Sequence, residues 1–264
     1  MITPVTNTAA MGAAFSLNKN QGLLQRSLMR LATGKKINAG KDDPAGLISS
    51  EQLAAAIVQL EAETKSLRRA DSNATITDGH LSQVGSMLNE LRGLVVASAN
   101  TAGMSDEEIA ANQMQIDSIV SSIQRFGGDA VSSLDGFNMP GGNDALSAAI
   151  SSAMASLTSL RSGGTNDLGS GNFDAASSVL DSALSAFSSA RGTIGAFQKY
   201  TVETSANSNK ITIENLTRAK SQILDTDFAV EMSNLTKYQI LTTSGMKVLG
   251  IAQQQAKSVL SLLA

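Results

Sequence analysis

The chain has 264 residues, 42% of them apolar but only 3% aromatic, with three prolines, no tryptophan and no cysteine. This composition allows a sizeable core, favours long helices packed side by side, and excludes disulfide frameworks and cysteine metal sites. The net charge of −3 is split unevenly: six bases and no acid in residues 1–41, three bases and no acid in 232–264, leaving −12 between them. Solvated helix faces explain such a split, and so do basic ends that meet acidic middles of neighbouring molecules. A transit peptide would account for the N-terminus alone. No apolar run approaches the ~20 residues of a membrane span, and no basic-then-apolar leader with a small-residue cleavage site opens the chain.

The first predicted helix runs from about Ala9 to Thr33. Leu17, Leu24 and Leu31 recur at sevens and Leu28 fills the interval, a stripe with a repeat near 3.5. Gly34, Gly40 and Pro44 end it. Asp42-Asp43-Pro44 then reads as a new helix start, with an acidic cap and proline in the first turn. Between the two aspartates, the cap is expected of Asp42 and an intersubunit contact of Asp43.

The second helix is the longest, on the order of 85 Å at ~1.5 Å per residue. Leu53, Ile57, Leu60, Thr64, Leu67, Asp71, Ala74, Asp78 and Leu81 alternate by four and three. Val84, Leu88, Leu91 and Val95 continue after a phase slip near Gly79, a local overwinding. Looser packing is expected over Asp71–His80, and Asn100–Gly103 closes the helix. A capping box, Ser105 with Glu108, opens the third helix, whose frame is Ile109, Ile116, Ile119, Ile123 and Phe126. Gly127-Gly128 is expected to stop it.

Residues 129–171 are rich in turn residues. Asp135-Gly136 predicts a tight turn or small hairpin, and Leu146, Ile150, Met154 and Leu157 one short helix. A last long helix is expected from about Asn172 almost to the end, through Phe173, Leu180, Leu184, Phe187, Ile194, Phe197, Leu216, Ile223, Phe228, Leu235, Leu241 and Val248. Neither end segment can form a globule alone, so the two ends are expected to pair.

Chemistry-bearing constellations are missing. His80 is the one histidine and has no His or Cys partner for a metal. No HExxH, GxSxG, P-loop or GxGxxG occurs. The acid pairs Asp42-Asp43 and Glu107-Glu108 sit at helix starts, where caps are the ordinary reading. The ten methionines read as core filler. Neither enzyme nor cofactor is expected, and a negative chain with few aromatics argues against nucleic-acid binding.

Both ends nevertheless resemble a known family, bacterial flagellin. Arg30-Leu31, Gly34, Ile37-Asn38, Lys41-Asp42-Asp43 and Ala45-Gly46 look like its "RLSSGxxINSAxDDAAG" stretch. Leu88-Asn89-Glu90-Leu91-Arg92 through Ser98-Ala99-Asn100 is similar to "LQRxRELAVQSAN". Ile194-Gly195-Ala196 with Gln198, then Asn215-Leu216, Ala219, Ser221, Ile223, Asp225 and Asp227, match the C-terminal motifs. Glu231, Ser233, Leu235, Gln239-Ile240-Leu241 and Val259–Leu263 complete them. Only Gly136-Phe137-Asn138-Met139 represents the family's "QFNGxxLL", and the middle is too short for large outer domains.

The resemblance implies a mainly all-α fold, a long antiparallel bundle with paired terminal helices. Residues 1–44 with 225–264 would form an inner coiled coil and 45–224 an outer bundle, with Arg30, Gly34, Asn38, Lys41, Asp42, Asp43 and Pro44 as the spoke and subunit interface. Leu17, Leu24, Leu31, Leu235, Leu241, Val248 and Leu262 would serve the terminal assembly helices. Implied partners are other copies in a helical homopolymer, an export chaperone, the flagellar type III secretion apparatus, and cap and hook-associated proteins, with no nucleic acid or membrane. The implied location is the extracellular filament, reached without a cleaved signal peptide. A face carrying Leu88, Arg92 and Leu94 would be read by innate immune receptors, although Glu90 and Gly93 depart from the matching family residues. A hook–filament junction protein, and a membrane-surface or signalling coiled coil, are the alternatives.

Overall fold

The computed structural model describes residues 7–99, 105–137, 139 and 142–263, and the side chains of α7 up to Gln255 and at Ser258. The elements are α1 (Thr8–Thr33), α2 (Pro44–Ala99), α3 (Asp106–Leu134), α4 (Asp144–Leu157), α5 (Phe173–Ala196), a π-helical turn (Phe197–Glu203), α6 (Thr204–Leu224) and α7 (Phe228–Leu263). The described residues form no strands, so the expected all-α architecture holds. The expected closing stretch Asn100–Gly103 lies outside the described residues. Two compact units emerge. One combines the chain up to Gln59 with the chain from Ile213 onward; the other is Leu60–Thr212.

The second unit is an antiparallel bundle with one apolar core. Ser105 and Glu108 make the expected reciprocal capping box at the start of α3. From α2, Ala74, Thr77, Leu81, Val84, Leu88, Leu91, Val95 and Ser98 are buried. This is an unbroken three-four rhythm, so the phase slip is not at Gly79. It lies a few turns earlier, where Thr64, Leu67 and Ala70 are the half-buried positions. Thr77, not Asp78, takes the core position. Nor is the packing loose here: the Thr77 hydroxyl meets that of Ser133 at 2.8 Å, and the Asn73 amide donates to the Gly136 carbonyl at 2.9 Å. Asp78 instead points outward and pairs with Arg191 at 2.7 Å.

Helix α3 does not stop at Gly127-Gly128 but runs on to Leu134. Gly127 lets α4 approach: a Cβ there would sit 2.3 Å from the Met154 sulfur, whereas one on Gly128 would meet nothing. Packing therefore overrides the weak helix propensity of two glycines. The Asp135-Gly136 turn comes directly after α3, without hairpin strands among the described residues. Asn143 ties the start of α4 back to this turn, donating to the carbonyls of Leu134 and Phe137 and accepting from the Met139 amide. Helix α4 buries Leu146, Ile150 and Leu157 as expected. Gln113 and Asp117 of α3 hold the next loop through its main chain, at Leu160, Ser162 and Leu168.

The expected single last helix is interrupted twice. The first interruption is the π-helical turn; the second is a true break at residues 225–227. Asp227 explains the second: its carboxylate accepts from the amides of Ala229 (2.9 Å) and Val230 (3.2 Å), capping α7.

Gly127→Val should destabilise the bundle by about 1–3 kcal/mol through overpacking. Gly128→Ala should leave stability unchanged or raise it by up to about 1 kcal/mol through helix propensity. Denaturant melts of the two variants check this ordering.

Candidate assembly interface and hinge

Around the hinge, residues 34–46 are built by local hydrogen bonds from the side chains singled out in the sequence. Gly34 closes α1 in the left-handed conformation (φ 69°), which favours glycine. The chain then crosses the break between α6 and α7. The Lys36 amide donates to the Leu224 carbonyl at 2.7 Å, and the Thr226 amide to the Gly34 carbonyl at 3.0 Å. This short antiparallel bridge pairs Lys35 with Asp225. Ile37, 3% exposed, plugs the space beneath it. The Asn38 side chain donates to the Lys35 carbonyl at 2.9 Å.

The cap of α2 falls to Asp43 and not, as expected, to Asp42: Asp43 accepts from the Gly46 amide at 2.9 Å. Asp42 closes the preceding turn by accepting from the amides of Asn38 (3.3 Å) and Ala39 (3.1 Å). Proline at the first helical position, Pro44, puts the cap one residue before it. The carboxyl of Asp42 is held below the ordinary carboxylate range, first by the Asn38 amide, then by the Ala39 amide and the nearby charges of Arg26 and Arg30. Lys35, Lys36 and Lys41 are exposed.

Helices α1 and α7 pack antiparallel. The Asn7 side chain donates to the Ala252 carbonyl at 2.8 Å, and Gly245 lies against Leu17. At the hinge end, Ser27 donates a short hydrogen bond to Glu231, and Arg30 stands 3.7 Å from the same carboxylate. Ser27 is 1% and Glu231 5% exposed. Leu17, Leu24 and Leu31 lie half-buried toward α7, and Leu235 half-buried toward α1. Leu28 does not fill the interval; Ser27 does, and Leu28 is 49% exposed. Leu241 and Val248 also point outward, because Thr242, Gly245, Leu249 and Ala252 occupy the seam. Gly245 lets Leu17 approach there. The side chain of Leu262 lies outside the described residues.

The pair leaves apolar side chains uncovered. Met11, Phe15 and Met29 form one exposed stripe opposite the seam of α1, and Val230, Ile240, Leu241, Val248 and Ile251 another along α7. Exposed apolar side chains in this number are the kind of surface that interaction sites use. Two seam-side polar atoms, Arg30 Nε and Thr242 Oγ1, are buried without a partner among the described residues.

The remaining sequence candidates are divided between core and surface. Leu88 is 2% exposed in the core of the second unit. Arg92 lies on the surface, paired with Asp181 at 3.2 Å, and Leu94 packs on the core from the other flank of α2. Leu88 and Arg92, four apart, are neighbours along α2, whereas Leu94 lies well round the helix from Arg92. The ring of His80 lies 6.0 Å from that of Phe126. Among the described residues no group of three metal-ligating side chains occurs, and no helix is long and apolar enough to cross a membrane. The signal that sequence reading missed was Ser27 with Glu231: two polar residues on the stripes of helices expected to pair.

A helical chain whose two ends pair while leaving their apolar flanks uncovered is a self-associating structural subunit. Comparison with known families agrees. The family model described as the bacterial flagellin N-terminal helical region matches residues 5–135, and that of the C-terminal helical region matches 178–263. The chain is 30% identical over 283 residues to the flagellar filament 30.7 kDa core protein of Treponema maltophilum, across 97% of this chain and 98% of that protein. It is 30% identical over 305 residues to the flagellin of Bacillus subtilis (strain 168), with the same coverage, and 29% identical over 275 residues to that of Halalkalibacterium halodurans. The chain belongs to the bacterial flagellin family, and it is a structural subunit of the flagellar filament.

Asp43→Ala should lower subunit stability by about 0.5–2 kcal/mol through the lost cap, read from thermal melts. Asp42 should show itself through pH. Its folded pKa lies below its unfolded one, so its contribution is present above the unfolded value and is lost as pH falls through the folded one. The amide resonances of Asn38 and Ala39 should titrate in acid, below about pH 4, and stop titrating in Asp42→Asn.

Proposed function

We propose that the α1–α7 pair forms the inner layer of a hollow filament, that the remaining helices form its outer layer, and that residues 34–46 are the spoke between them. Copies pack through the outward stripes of Met11, Phe15 and Met29 and of Val230, Ile240, Leu241, Val248 and Ile251. The observation that carries this reading is the large apolar surface that the pair leaves uncovered, with Phe15 75%, Val248 54% and Ile251 59% exposed. Such a pair is poorly hidden in a free subunit. Its order is completed when the lattice covers both flanks, so folding of the ends is coupled to polymerisation.

The charge split adds a weaker, directional contribution. Lys35, Lys36 and Lys41 are exposed beside the spoke, where acidic surfaces of neighbouring copies can meet them. Exposed pairs contribute only ~0–1 kcal/mol each, and contacts beyond about 8 Å are screened at physiological salt. The apolar stripes therefore dominate affinity, and the lysines tune it. Export without a cleaved leader, an export chaperone, and docking to cap and hook-associated proteins follow from the family and belong to the same reading. So does the absence of catalysis.

Phe15→Glu and Val248→Glu place charges on the two stripes while leaving the seam untouched. Each should raise the critical concentration for polymerisation at least tenfold, with the melting of the Leu60–Thr212 bundle unchanged. Deleting residues 232–264 should abolish filaments while the bundle stays helical. Sedimentation and electron microscopy supply the readout, and normal filaments from the charged variants or from the truncated chain would refute the proposal.

A further inference from the structure

Mild oxidation of this chain falls on its methionines. It has no cysteine and no tryptophan, so the ten thioethers are the side chains that peroxide attacks first. They differ in access. Met87 and Met154 pack on the core of the Leu60–Thr212 bundle, and Met139 is buried in it. On the terminal pair the reverse holds. Met11 and Met29 of α1, and Met232 and Met246 of α7, are each more than half exposed.

Their placement is regular. Met11 and Met29 stand about five whole turns apart on α1, and Met232 and Met246 about four on α7, so each couple shares one face of its helix. The helices run antiparallel, and the four methionines gather toward the two ends of the pair. Met29 lies between Ser27 and Arg30, which meet Glu231, the neighbour of Met232. Met246 follows Gly245, which lies against Leu17, within about two turns of Met11. An unbranched thioether is apolar and adaptable, and suits a face that another copy covers.

We propose that these four methionines are sites of reversible oxidation that decide whether a subunit can enter the filament. The step is transfer of one oxygen atom from hydrogen peroxide. A sulfur lone pair attacks the peroxide, the O–O bond breaks, an S–O bond forms and water leaves. Sulfur loses two electrons and the peroxide gains them. The product sulfoxide is polar and holds water. Covering it strips that water without supplying a donor, which weakens a contact that the thioether strengthens. Within the filament the same sulfurs are covered by neighbouring copies and protected. The lattice thus accepts unoxidised copies and keeps them so. The inference rests on the assembly reading, in which the outward faces of α1 and α7 are covered.

The test treats full-length free subunits and preformed filaments with hydrogen peroxide and follows each methionine by mass spectrometry. In free subunits Met11, Met29, Met232 and Met246 should oxidise at least tenfold faster than Met87, Met139 and Met154. Polymerisation should slow the four at least tenfold. Oxidised subunits should show a critical concentration at least tenfold higher in sedimentation, and methionine sulfoxide reductases with dithiothreitol should restore it. The quadruple variant M11L/M29L/M232L/M246L shows whether these sulfurs carry the effect. Peroxide should move its critical concentration less than twofold from its own untreated value, although Met114, 67% exposed on α3, still oxidises. Oxidised parent subunits that polymerise like untreated ones would overturn the inference. So would a loss that the reductases do not reverse, or a quadruple variant as sensitive as the parent. The reductase arm uses the parent chain alone and decides even where the variant does not polymerise. Equal oxidation of the four in free and polymerised chains would instead refute the covered faces, so failure of the assembly reading is distinguishable.

Discussion

Two main-chain hydrogen bonds, from Lys36 to Leu224 and from Thr226 to Gly34, join the segments that end α1 and begin α7. Everything in the first unit hangs on this bridge. It requires a left-handed glycine on one segment and a helix break on the other. It also leaves the neighbouring main-chain groups to be satisfied locally, which Asn38, Asp42, Asp43 and Asp227 do with their side chains. A buried main-chain donor left without such a partner costs roughly 1–3 kcal/mol, so the polar residues of this stretch are there to complete the backbone as much as to meet a neighbour.

The bridge also sets the register of the terminal pair. Starting from it, the first layer across the seam is Ser27 and Arg30 against Glu231. A buried carboxylate with one neutral donor and one longer ionic contact is a weak stabiliser but a strict one, because any slip leaves it unpaired. Beyond it Gly245 lies against Leu17. Half-buried leucines, Leu17, Leu24, Leu31 and Leu235, line the same seam, and further apolar side chains on both helices are left for other molecules.

How much of this was legible in the sequence depends on the kind of signal. The three-four stripes located the helices and their core faces, and the Ser105–Glu108 capping box came through to the atom. Glycine and proline read alone misled at Gly127, where a tight approach by Met154 and not a turn demands the small residue. Aspartate read alone misled twice. The cap falls to Asp43 because Pro44 fixes the first helical position, and Asp227 ends the long C-terminal helix without any glycine or proline to announce it. Leu241 and Val248, expected on the terminal assembly helices, face outward, while Thr242 and Gly245 lie on the seam. A stripe tells which residues share a face, but not whether that face looks inward or toward another copy.

The pairing of α1 with α7 has a temporal side. Helix α1 finds its main partner in α7, far along the chain, so α1 waits unpaired while the segments between are made. The bundle of Leu60–Thr212 needs no such wait, because its strongest contacts join elements close in sequence, and local contacts form fast. The Leu60–Thr212 bundle can thus form while α1 is still unpaired. The pairing of α1 with α7 spans most of the sequence, and contacts of that span form slowly.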